Sequence, residues 1–292
     1  MTVQAVAAGR WTDRRGRADE LRERWPFAAE VLAFYGALLP VQERICEAAQ
    51  AELVDPSQAA AYVAARALPL VRAVTIAHGP TALAQAVAVA TGSSGEAEET
   101  VDRWLAGGEL STVDRYLARA AAGPVLEALG PAAGRVCPGP RDERHCPTCG
   151  GLPQVSLFAP AGEDLVAPRR YLECARCASR WPYPRMTCAA CGEANTGSLP
   201  IFAEEGATLG EATGNVVRGA ATAPAGPRSG PAPQFPHMSV HGCRACARYL
   251  LNVDLGRDAR AVPAVDEMAA IPLDLYAREQ ALAKIVPNLT GV

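Results

Sequence analysis

A chain of 292 residues has room for about two domains, and 49% hydrophobic residues suffice to bury a core. Only 5% are aromatic, which suits Ala-, Leu- and Val-rich helices better than an all-β barrel. The formal net charge of −3 offers no long-range attraction to nucleic acid or anionic lipid.

Near the start, Arg14 and Arg15 are adjacent, but no apolar stretch follows them, so they do not read as a Sec or twin-arginine signal. Residues 1–20 are expected to be disordered. A helical domain is expected over 21–135, its helices divided by strong punctuation. Asp55 followed by Pro56 is an N-cap acid with proline at the first helical position, and Gly79-Pro80 is the matching stop. Further breaks are expected at Gly92–Gly95, Gly107-Gly108, Gly123-Pro124 and Gly130-Pro131, and Ser111 with Asp114 can form a capping box. Val101, Trp104 and Leu105, then Val113, Tyr116 and Leu117, recur at helical spacing. The reading is a bundle of about five to seven short helices. The most apolar stretch, Ala59 to Ala77, contains Arg66, Pro69 and Arg72, which argues against a membrane span.

From Pro131 to His145 the chain is rich in Gly, Pro and Arg and suits a linker. Beyond it, strand-like runs at Gln154–Phe158, Arg170–Leu172 and Leu199–Phe202 lie between cysteine pairs. Residues 206–236 include 18 Gly, Ala or Pro among 31, an insert expected to be mobile. Pro263–Leu282 reads as one more helix, with Asp266 and Glu267 placed where a helix dipole favours acids.

Eight of the ten cysteines form four Cys-x-x-Cys pairs: Cys146/Cys149, Cys174/Cys177, Cys188/Cys191 and Cys243/Cys246. Two intervening residues let both thiolates of a pair face one ion from a tight turn, and two such turns complete a tetrahedral site. One pair could be chance or a redox couple; four in succession point to metal. Glycine follows the first and third pairs, where a knuckle turning through positive φ wants it, whereas Ala178 and Ala247 follow the second and fourth. That alternation suggests a duplicated rubredoxin-like or zinc-ribbon unit. Pairing of neighbours leaves 24 and 51 residues between knuckles, against 38 and 65 if the pairs interleave. Shorter loops close at lower entropic cost, so the first pair is expected to share an ion with the second, and the third with the fourth.

The expected architecture is α+β. An N-terminal all-helical domain is followed by two tandem four-cysteine metal modules of rubredoxin-like or zinc-ribbon type, at 145–182 and 183–257, then by a C-terminal helix and tail at 258–292. Tetrahedral sulfur ligation suits zinc or iron alike, and a closed four-cysteine site is more often structural than redox-active. His145, His237 and His241 lie near cysteine pairs, yet eight thiolates already saturate two ions. His78 reads as a C-terminal dipole partner, Cys46 as a small core residue and Cys137 as a spare thiol. No phosphate loop, nucleophile elbow or His-Glu-x-x-His motif is present, so no catalytic residue is expected.

The segments CPTCGGLP from Cys146, RYLECARCASRW from Arg170, MTCAACG from Met186, HGCRACARYL from His241 and the tail VPAVDEMAAIPLDLYAREQ resemble the FdhE family of formate dehydrogenase accessory proteins. The sequence departs from that pattern at Ala247, where glycine is expected, and at Pro182. The resemblance implies a cytoplasmic, non-catalytic assembly factor for the formate dehydrogenase catalytic subunit. It also implies rubredoxin-like sites that favour iron, with zinc as an alternative in purified protein, and no insertion into a membrane. Two other classes compete, a rubredoxin-like electron carrier and a nucleic-acid-binding zinc ribbon. Charge disfavours the second, because eight thiolates on two divalent ions add four negative charges to the formal −3.

Overall fold

The computed structural model describes residues 3–53, 55–90, 94–159, 168–205, 207, 232–289 and 291. The insert expected to be mobile lies mostly outside them. The helical half comprises α1 (Val3–Arg24), α2 (Ala29–Glu52), α3 (Ala59–Tyr62), α4 (Leu68–His78), α5 (Thr81–Val89), α6 (Ser94–Leu105) and α7 (Thr112–Leu129). A π-helical turn, Val63–Ala67, joins α3 to α4 without a break. The continuous helix Pro56–His78 is long and apolar enough to cross a membrane by length and composition alone. Here it buries Val63, Ala67, Val71 and Thr75 against the bundle.

From Val3 on, the described residues of the segment expected to be disordered are helical. Trp11, Ala18 and Leu21 are buried at helical spacing on α1, and Arg14 and Arg17 are buried beside them. Arg14 pairs with Glu127 at 3.0 Å, and Arg17 reaches Asp258 at 2.8 Å and Asp266 at 3.0 Å. Two members of the core-facing stripe are thus arginines, and a hydropathy pattern counts them as surface. Helix α7 also runs through Gly123-Pro124, where a break was expected. Pro124 sits in the helix interior and is buried, so its missing N–H is tolerated within a packed element. Ser111 caps α7 as expected, accepting from Asp114 N at 3.1 Å.

The cysteine-rich half forms one seven-stranded sheet from β1 (Pro153–Ala159), β2 (Arg169–Cys174), β3 (Arg180–Pro182), β4 (Ile201–Phe202), β5 (Met238–Cys243), β6 (Arg248–Asp254) and β7 (Ala283–Lys284). The order is β3-β2-β1-β6-β5-β4, with β7 on β6. Each cysteine unit contributes an antiparallel three-strand piece, and the two pieces meet where β1 pairs in parallel with β6. The units therefore share a sheet and are not separate beads on a chain. Strand β1 is buried along nearly its whole length, as a central strand covered on both faces must be.

The C-terminal segment is two helices, α8 (Pro263–Ala269) and α9 (Ile271–Glu279), where one was expected. Pro272 lies in the first turn of the second, which follows the cap at Ala270. Helix α8 packs on α1, β1 and β6, joining the helical half to the sheet. Its acids do more than match a dipole. Asp266 accepts from Arg17 and lies 2.9 Å from His237 Nε2, and Glu267 pairs with Lys284, the chain's only lysine. Lys284 Nζ also lies 2.9 Å from Asp274, and Tyr249 donates to the same carboxylate at 2.7 Å.

Candidate metal centres

All eight paired cysteines converge into two sets, Cys146, Cys149, Cys174 and Cys177, and Cys188, Cys191, Cys243 and Cys246. Within each set the sulfurs lie within 4.8 Å of one another. This is the neighbour pairing that the loop lengths favour. Cys146 Sγ is 3.6 Å from Cys177 Sγ, and Cys149 Sγ is 3.4 Å from Cys174 Sγ. In the second set, Cys188 to Cys246 is 3.8 Å and Cys191 to Cys243 is 3.7 Å. A tetrahedral ion with metal–sulfur bonds of about 2.3 Å sets its sulfurs about 3.8 Å apart, so both quartets have the dimensions of such a cage. No histidine joins either set among the described residues, and Cys46 and Cys137 also stand apart. Burial pushes the Cys46 thiol up to about 11 and raises that of Cys137 as well, as befits unligated core residues.

Each knuckle turns on a left-handed residue. Gly150 and Gly192 have φ of 69° and 81°, and Ala178 and Ala247 adopt the same region at 52° and 53°. The alternation of glycine and alanine in the sequence thus hides one conformation repeated four times, strained at the two alanines. Gly150 N donates to Cys146 O at 2.8 Å, and Gly192 N to Cys188 O at 2.9 Å, closing the turns. Backbone amides also point at sulfur: Arg176 N to Cys174 Sγ and Ala190 N to Cys188 Sγ, both 3.3 Å. Such donors stabilise a thiolate. Within the first quartet, contacts to the neighbouring thiols, led by Cys149, lower the Cys146 thiol, whereas burial pushes Cys174 up. Four thiolates this close cannot all hold their charge unless a cation shares them.

The second quartet has a further electrostatic sign. Arg170 is buried, its Nη1 donates to the carbonyls of Pro184, Arg185 and Thr187, and its Nε has no partner among the described residues. Burial lowers its guanidinium to about 10. No carboxylate among the described residues pairs with it, and Cys188 lies close enough to favour its charge. Four thiolates on a divalent ion would carry the negative charge that this arginine lacks.

Several positioning residues carry no motif and were not found from sequence. Arg176 donates to Leu105 O at 3.0 Å and stacks over Trp104, tying the first quartet to the helices. Arg144 donates to Ala190 O at 3.2 Å, linking the linker before the first knuckle to the third. Tyr183 donates to Cys188 O at 2.9 Å.

A family model described as FdhE, central domain, matches residues 145–185, the span of the first quartet. Over 149 residues the chain is 28% identical to the FdhE homolog of Aquifex aeolicus, covering 51% of this chain and 42% of that protein. Over 144 residues it is 24% identical to the FdhE homolog of Pseudomonas aeruginosa, covering 49% and 38%. The crystal structure of the FdhE protein from Pseudomonas aeruginosa aligns with 96% of this chain and 94% of that one, at a TM-score of 0.62 and 18% identity. The chain has the fold of the FdhE protein, and its residues 145–185 match the FdhE central domain. The sequence matches span less than half of each FdhE relative, while the structural alignment shows that the FdhE fold extends over both the helices and the sheet.

Proposed function

We propose that this protein is a cytoplasmic accessory factor required for formate dehydrogenase activity, acting on the immature catalytic subunit and doing no catalysis of its own. The observation that supports it best is the pair of cysteine quartets of metal-cage dimensions in a chain whose residues 145–185 match the FdhE central domain. The ligands in this reading are Cys146, Cys149, Cys174 and Cys177 for one ion, and Cys188, Cys191, Cys243 and Cys246 for the other. Iron is the ion the family resemblance favours, with zinc as its substitute in aerobically purified protein. A bound iron would supply one-electron chemistry at a four-sulfur site, and zinc would supply structure alone. The cysteines fix the ion, the left-handed knuckles aim them, and the amide donors to sulfur stabilise the thiolates.

The proposed domains follow the same logic: a helical half that offers surface to a client, two metal units sharing one sheet, and a C-terminal segment that locks the halves together. The test is genetic and biochemical. A deletion strain without a paralogue should lose formate dehydrogenase activity, and tagged protein should recover the catalytic subunit from cytosol. Unchanged activity in that strain would contradict the proposal, and recovery of nucleic acid in place of the subunit would favour the zinc-ribbon reading.

A further inference from the structure

The two quartets have the same dimensions but opposite surroundings. All four sulfur residues of the first are buried, and they belong to the main core together with Val155, Leu172, Trp181 and Tyr183. The helices close over that site through Arg176, which reaches Leu105 and Trp104. In the second, Cys188 and Cys243 are buried, Cys191 is exposed and Cys246 is half-buried. Its apolar surroundings form a small cluster separate from the main core, with Leu199 and Ala190 beside the cysteines. The next residue on the third knuckle, Gly192, is exposed, as are Arg244, Ala245 and Ala247 on the fourth.

The two less buried cysteines, exposed Cys191 and half-buried Cys246, come one from each knuckle, and the sulfur of each lies against that of a buried cysteine, Cys191 on Cys243 and Cys246 on Cys188. An incoming ligand can therefore displace the outer two thiolates in turn while the inner two still hold the ion. At the first site a competing ligand finds no sulfur to attack until the core opens, and opening a core unit is a rare sub-global event. We infer that the second quartet is an exchange site, through which a thiophilic divalent ion, zinc or ferrous iron, enters and leaves by way of Cys191 and Cys246, while the first is a closed site that keeps its ion. The inference rests on the reading that both quartets bind metal, and it assigns them different work: the first maintains the fold, and the second is where an ion or a competing thiol can be passed.

The test uses the full chain loaded with zinc under reducing conditions and mixed with an excess of the chromogenic chelator 4-(2-pyridylazo)resorcinol. Chelator nitrogen and oxygen atoms replace the thiolates on zinc, and the freed thiolates take protons from water. The expected record has two phases of equal amplitude, one ion each, differing in rate by about tenfold or more, because only the slow one waits on core opening. N-ethylmaleimide added after the fast phase then reports position: each freed sulfur adds across the maleimide double bond, with water supplying the proton to carbon. Peptide mass spectrometry should find the label on Cys188, Cys191, Cys243 and Cys246 and not on Cys146, Cys149, Cys174 or Cys177. Cys191→Ser, a change at an exposed position, should remove or further speed the fast phase and leave the slow one unaltered. Release of both ions in one phase, or first labelling of the buried quartet, would overturn the inference while leaving two metal sites in place. A chain that takes up no zinc or iron would overturn the metal reading itself.

Discussion

Lys284→Met removes the cation from a cluster in which Glu267 and Asp274 are buried to 1% and 0% exposure. Methionine keeps the length and the backbone of β7, including the carbonyl that accepts from Arg248 at 3.2 Å. Both carboxylates retain one neutral donor each, Gln154 Nε2 at 3.0 Å on Glu267 and Tyr249 at 2.7 Å on Asp274. What is lost is the cation paired with both carboxylates, while the charge of Arg119 still acts on Glu267. Breaking a buried pair from one side costs about 3–5 kcal/mol. With a urea dependence of about 3 kcal/mol per molar, the unfolding midpoint should fall by roughly 1–1.7 M. The dependence on pH has a definite sign. Burial holds the Glu267 carboxyl above the usual carboxylate value of 4.5, with Lys284 opposing it, so the variant holds that proton to still higher pH. A folded state that binds the proton more tightly than the unfolded one is favoured in acid. The variant's penalty should be smallest below pH 4.5 and should grow as pH rises through the folded value. Adding Glu267→Gln and Asp274→Asn to Lys284→Met should recover at least about half of the loss, since it removes the unpaired charges. Urea titrations of the metal-loaded protein at several pH values measure all three effects. A loss below about 1 kcal/mol, or no recovery in the triple variant, would refute the reasoning.

Other consequences can be tested in the same way. Ala178→Gly and Ala247→Gly relieve left-handed strain in the second and fourth knuckles and should each stabilise the metal-loaded protein by up to about 1 kcal/mol in urea titration. Gly151→Ala would place a Cβ 2.8 Å from Cys174 Sγ and 3.0 Å from Arg176 Cδ, so elemental analysis should show selective loss of the first ion. Arg17→Met strips Asp266 of its guanidinium and should cost about 3–5 kcal/mol by the same measurement as Lys284→Met, although Arg17 lies in a stretch that reads as polar. Ser111→Ala removes the cap of α7 and should cost about 0.5–2 kcal/mol in thermal unfolding.

What could be read from the sequence were the features with local chemistry. The four cysteine pairs, their grouping, the Asp55 and Ser111 caps and the Gly79 stop each depend on a few adjacent residues, and the structure shows the two quartets, caps and stop at those places. The missed features depend on contacts between distant segments. Helix α1 was read as disorder because Arg14 and Arg17 count as polar until Glu127 and Asp266, more than a hundred residues away, neutralise them. Strands β5 and β6 flank the last knuckle as MSVHGC and RYLLNVD, but only pairing with β1 buries the second on both sides. The unequal exposure of the two quartets was equally hidden. Cys146 and Cys191 sit in similar turns, and what covers one is the helical half, brought over by Arg176.

The most direct test of the account is metal content with sulfur coordination, measured on protein purified without oxygen. Elemental analysis should give two ions of iron or zinc per chain, and X-ray absorption should show four sulfur neighbours at about 2.3 Å around each. Cys174→Ser should reduce the content to one ion, held by Cys188, Cys191, Cys243 and Cys246. One ion or none in the native chain, or nitrogen and oxygen in place of sulfur around the metal, would contradict the claim that these eight cysteines build two metal centres.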